Sequence, residues 1–112
     1  MKLAILVLNK EEELETLLEG YVEIGITGST IIDSIGMGHI LSSDIPIFAG
    51  LRFMFAGSRP YNKTILSIIR EEKIRPLKDL VRKVLGPLEE SGRGILFFIE
   101  VAEVIGLKPE IK

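Results

Sequence analysis

The chain has 112 residues, with 14 Lys and Arg against 16 Asp and Glu for a formal net charge of -2, one His and no Cys. That length supports one hydrophobic core and therefore a single domain over residues 1–112. The charge balance lacks the basic excess that nucleic acid demands, and without cysteine there are no disulfides, thiolate metal sites or Cys nucleophiles.

Residues 3–8, LAILVL, form a continuous apolar run of strand length, suited to burial on both faces of a sheet. Three acids follow the run and no small-residue cleavage site does, so it is expected to be a first strand and not a signal peptide. From Lys10 onward Leu14, Leu17, Leu18, Tyr21 and Val22 recur at helical spacing, with Glu11, Glu12 and Glu13 in the first turn, where the helix dipole favours anions. The helix is expected to end by Gly25, and a second strand to span residues 29–35. Residues 39–60 show no clean period and contain Pro46, Gly50, Gly57 and Pro60, which predicts a long excursion between strands. The apolar segment 45–57 is too short to cross a bilayer as a helix and carries Arg52, so no membrane insertion is expected, while the absence of cysteine fits an expected cytoplasmic location.

A third strand is predicted over residues 64–69, then a helix with Pro76 at its first position and Leu77, Leu80, Val81, Val84, Leu85 and Leu88 on one stripe, with Gly86 and Pro87 as the place where it can end or kink early. Residues 95–101 complete the pattern as a fourth strand. The order strand, helix, strand, strand, helix, strand predicts an α+β fold, a ferredoxin-like βαββαβ sandwich with a four-stranded antiparallel sheet. Two helices cover one face of such a sheet, yet LAILVL, TILSII and ILFFIEV do not alternate with polar residues. The second face must then also be covered, and another copy of the same chain is the expected cover.

Gly28, Gly36 and Gly38 bracket the second strand, while Gly92 and Gly94 precede the fourth. Backbone N–H groups in such turns can form concave nests that accept phosphate oxygens, although a turn of this kind commonly serves only to reverse the chain. The stretch GITGSTIIDSIGMG, the long excursion after it, KTILSII, the amphipathic helix, SGRGILFF and VAEVIGLK together resemble the PII signal-transduction family and its PII-like relatives over nearly the whole chain. The resemblance implies a homotrimer with ligand sites between subunits, and a protruding T-loop at residues 39–60 that touches a partner such as a membrane transporter or an enzyme. It implies AMP, ADP or ATP as regulatory ligand.

Carried onto this sequence, the resemblance places Gly28, Ser29 and Thr30 at the adenine and Gly36, Met37 and Gly38 at the base of the T-loop. It makes Gly92, Arg93 and Gly94 the phosphate-side turn and puts Lys108 in place of an arginine. Classical members follow Gly-x-Gly with Arg-Gln, where this chain has His39 and Ile40; Ile95 stands for an expected lysine and Gly106 for an arginine. Recognition of 2-oxoglutarate is therefore not expected, and AMP or ADP suits the remaining cations, Arg93, Lys108 and conditionally His39, better than magnesium ATP. Residues 39–60 contain no tyrosine for uridylylation, and they are strongly apolar. Phe48, Leu51, Phe53 and Phe55 are the expected partner-binding residues, with internal packing as the competing reading.

No Ser-His-Asp set, H-x-x-x-H or GxxxxGK[ST] pattern is present, so a regulator is expected and not an enzyme. Two alternatives stand beside it: a PII-fold interaction module without nucleotide binding, and a small ferredoxin-like enzyme.

Overall fold

The computed structural model describes residues 1–44, 61–90 and 92–108. Its elements run β1 (Lys2–Leu8), α1 (Leu14–Glu23), β2 (Ser29–Ile35), α2 (Met37–Asp44), β3 (Tyr61–Ile69), α3 (Ile74–Leu85) and β4 (Gly94–Glu100). The four strands form one antiparallel sheet in the order β2-β3-β1-β4. This α+β arrangement, with α1 and α3 packed on the sheet, is compatible with a ferredoxin-like sandwich. Among the described residues, no helix is long and apolar enough to cross a membrane.

Short 3-10 turns, Glu11–Glu13 and Glu71–Lys73, precede α1 and α3, and both carry acids where free N–H groups face outward. Pro76 occupies the third position of α3, two residues later than expected. It still lies in the first turn, where its missing N–H breaks no helical hydrogen bond. At the other end Gly86 closes α3 at φ +79°, a left-handed conformation that glycine adopts without a Cβ clash.

The core lies between the helices and one face of the sheet. Leu17 and Tyr21 from α1 meet Leu77, Val81 and Leu85 from α3 over Ala4, Leu6, Leu8, Ile65 and Ile69. Side chains alternate across a strand, so these sheet residues share a face. Gly20 sets the approach of the helices: a Cβ there would collide with the Leu80 side chain. Fully burying each aliphatic side chain contributes about 1.5–3 kcal/mol, so this cluster is the main source of stability.

Tyr21 is 2% exposed, and its burial pushes the phenol above its ordinary value of 10.0. Above about pH 10 the unfolded chain therefore loses a proton that the folded chain keeps, and stability falls by about 1.4 kcal/mol per pH unit until the folded phenol also ionises. Tyr21→Phe is expected to remove that slope from the alkaline limb of a urea-unfolding series; an unaltered limb would assign it to another group.

The opposite face is apolar as well. Leu3, Ile5 and Val7 from β1 pair across the sheet with Ile99, Phe97 and Ile95 from β4 and with Ile68, Leu66 and Thr64 from β3. No helix of the described residues supplies core partners here, and Ile95, Phe97 and Ile99 are 61%, 41% and 48% exposed. The strand pattern that is continuous in sequence thus divides into a buried helix side and a greasy open side.

One expectation about the excursion changes. The chain enters it as a helix, α2, which includes Met37, Gly38 and residues 39–44 of the expected T-loop. Met37, Ile40 and Leu41 supply helical spacing, and Gly38 with the Ser pair after Leu41 weakens its signature. The helix also stands between β2 and β3, where a plain βαββαβ order has none. Residues 45–60, and with them Phe48, Leu51, Phe53 and Phe55, lie outside the described residues.

Candidate functional site

The register divides the sequence-derived residues between two ends of the sheet. Ser29 pairs with Ser67 near the end of β3, so Gly28 lies at that end. Ile35 pairs with Tyr61, and Leu8 with Gly94, so residues 36–38 and 92–94 lie at the other. A seven-residue strand separates the two ends, about 20 Å at the rise of an extended chain. At the second end the two glycine groups leave opposite edge strands, with β3 and β1 between them, about 14 Å apart at ordinary strand spacing. One protomer does not gather all ten residues around one small ligand.

At the first end a cavity of about 530 Å³ opens where the turn before β2 meets the end of β3 and the tail after β4. Thr27, Gly28, Arg70 and Lys108 line it, with the buried Ile26 and Ile69 as apolar wall. The structure thus brings Gly28 and Lys108 together from positions 80 residues apart (108 − 28). Volume and composition match a small-molecule pocket: a mostly apolar surface with a few polar groups. Gly28 does not take a positive φ, and a Cβ on it would meet nothing within 4 Å. Neither backbone strain nor packing within the protomer therefore explains a glycine there, whereas close approach by a ligand would.

Ser29 and Thr30 diverge. The Ser29 hydroxyl is 2.7 Å from the buried Ser67 hydroxyl on the helix side, while Thr30, one residue on, faces the open side beside Leu66. Ser29 thereby satisfies a buried polar group, and of the two only Thr30 lies on the open face.

At the second end, Gly92 and Gly94 have φ values of +86° and +151°. A Cβ on Gly94 would stand 2.5 Å from the Val7 carbonyl oxygen, so its glycine is required by the close pairing of β4 with β1. Arg93 is also occupied. Its guanidinium donates to the Leu85 carbonyl at the end of α3 and, at 2.7 Å, to Glu90. It caps a helix and clamps the following turn, which leaves fewer of its five N–H donors for a phosphate. Gly36 and Gly38 have no positive φ; Gly36 accepts the Ile40 N–H at 3.4 Å as α2 begins. Nothing is described of the His39 side chain.

A second hollow, of about 480 Å³, lies at this end beside Glu11, Asp33, Asn62 and Lys63. Most of its polar groups are engaged with one another. Lys63 donates to Asp33, and that hydrogen bond raises the Lys63 ammonium above its ordinary range. The Thr64 hydroxyl donates to Ser34 at 2.8 Å, Ser34 donates to the Asn62 side-chain carbonyl, and Asn62 donates to Asn9 at 3.3 Å. This network ties β2 to β3.

Sequence reasoning missed Thr27 and Arg70. No local spacing singles out either residue; what joins them is the pairing of β2 with β3, which sets the residue before one strand beside the residue after the other. No protein-family model matches the chain, and no characterised protein matches it either, so the fold and this pocket carry the functional reading.

Proposed function

We propose that the protein is a PII-like regulator with a ferredoxin-like subunit. Three copies bury their open sheet faces against one another, and an adenine nucleotide binds between them. The nucleotide occupies the cavity of Gly28 and Lys108 in one protomer and meets the glycine turns of a neighbour. Occupancy biases the 39–60 segment, which controls a partner such as a transporter or an enzyme through Phe48, Leu51, Phe53 and Phe55. Such coupling requires that the nucleotide prefer one state of that segment over another.

The observation that carries this reading is the cavity itself, in which a glycine with open space beside it faces a lysine from the far end of the chain. The division of the other residues between two ends of the sheet supports a site completed by a second subunit. AMP or ADP is favoured over ATP because the engaged Arg93 reduces the cations open to a triphosphate.

Thermal unfolding with AMP, ADP, ATP and cyclic nucleotides tests the proposal. A nucleotide at one hundred times its Kd stabilises the native state by about 2.7 kcal/mol, which is a rise of about 10 °C in Tm for a domain of this size. AMP or ADP is expected to give that rise. If no adenine nucleotide shifts the midpoint, the second reading holds: an interaction module of the same fold, in which Arg93 serves only to cap α3.

A further inference from the structure

The cavity beside Gly28 carries more positive charge than the sequence resemblance accounts for. Arg70 and Lys108 both line it, and no Asp or Glu does. A third cation stands at the rim, where the Lys73 ammonium would lie 2.7 Å from a Cβ placed on Gly25. Four cations away from the pocket have carboxylates: Lys2 with Glu100, Lys63 with Asp33, Arg82 with Glu89 at 4.0 Å, and Arg93 with Glu90 at 2.7 Å. The acid next to Arg70 in sequence, Glu71, is 3.9 Å from Lys2. Arg70, Lys73 and Lys108 have no ion-pair partner among the described residues.

Three cations around one pocket repel one another, and an anion placed among them relieves that repulsion. Arginine adds geometry to charge, since its planar fork can meet two oxygens of one phosphate at once. The pocket wall behind the cations is apolar, from Ile26, Ile69 and Leu107, which suits a ligand with a less polar body attached to its anionic group.

We propose that Arg70 is the principal phosphate-binding residue of this cavity, acting with Lys108 and with Lys73 at the rim, and that the ligand class is a phosphate ester. The assignment rests on the nucleotide reading for the identity of the ester, but not for the binding of phosphate. It makes Arg70, rather than Arg93, the residue whose loss weakens a nucleotide most.

The test is calorimetric titration of the full chain and its Arg70→Gln and Arg70→Lys variants with AMP, ADP, adenosine and inorganic pyrophosphate. Arg75→Gln, an exposed α3 residue outside the cavity, controls for net charge. The expected result is a loss of roughly 10- to 100-fold in affinity for AMP and pyrophosphate in Arg70→Gln, with partial recovery in Arg70→Lys. Adenosine and Arg75→Gln should show no change. AMP affinity unaltered by Arg70→Gln overturns the assignment while leaving the nucleotide reading intact. Pyrophosphate binding that depends on Arg70, with no adenine nucleotide bound, removes the nucleotide and keeps the phosphate site. An equal loss in Arg75→Gln, or an unaltered chain that binds neither pyrophosphate nor nucleotide, also overturns the assignment.

Discussion

Phe97→Asp is expected to yield a folded monomer in place of the proposed trimer. Phe97 sits at the middle of β4, opposite Ile5 of the central strand β1, with Ile95 and Ile99 on the same open face. It contributes nothing to the buried cluster under the helices, so its replacement leaves that core as it is. Within an assembly the same substitution removes about 1.5–3 kcal/mol of aromatic burial from each protomer and sets an unpaired carboxylate in a dry interface, which costs several kcal/mol more. The two effects act at every copy of the contact. Sedimentation velocity gives the mass, and far-UV circular dichroism shows whether the fold survives. A Phe97→Asp variant that sediments like the parent would move the contact to another surface.

Gly94→Ala is expected to destabilise the protein by about 2–4 kcal/mol with no ligand present, because it combines overpacking with backbone strain. The φ of +151° already disfavours a Cβ, and that Cβ would stand 2.5 Å from the Val7 carbonyl oxygen and 3.6 Å from its carbon. Both are backbone atoms of β1, so relief must come from the Leu8–Gly94 end of the ladder opening. Gly28→Ala provides the contrast. With nothing within 4 Å of its Cβ, it should change stability by no more than about 0.5 kcal/mol. Urea unfolding of the pair therefore separates a glycine needed for folding from one left free to meet a ligand. Equal losses at both positions would show that Gly28 also has a packing role within the protomer.

β1 and β4 were legible from uninterrupted apolar runs, and β2 from its bracketing glycines; β2 spans the anticipated 29–35, β1 and β4 begin one residue early, and β3 begins three residues early, at Tyr61, because polar Asn62 and Lys63 hide its first pairings. The helices were legible from their stripes, with the shift of Pro76 to the third position arising from the 3-10 turn before it. α2 was not, because Gly38 and the Ser pair dilute a helix only eight residues long. Sequence suggested apolar character on both faces of the sheet, and the exposed Ile95, Phe97 and Ile99 give that a location.

The candidate site was less legible, for a reason rooted in topology. Gly28, Arg70 and Lys108 meet only because β2 pairs with β3 and the tail after β4 returns to the same end. Local periodicity carries no information about which strands become neighbours. Arg93 shows the converse: a cation between two glycines looks like an anion ligand in one dimension, yet in three it reaches back eight residues to the last turn of α3. The glycines also divide by cause, with Gly94 fixed by a backbone contact and Gly28 by none within the protomer.

The proposed assembly depends on the bare β surface being too apolar to remain hydrated. Analytical ultracentrifugation of the unaltered protein across a thousandfold dilution puts that to the most direct trial. A species of three times the 12.5 kDa chain mass, persisting into the low micromolar range, is the predicted result. A natively folded particle of single-chain mass throughout the series would contradict the account.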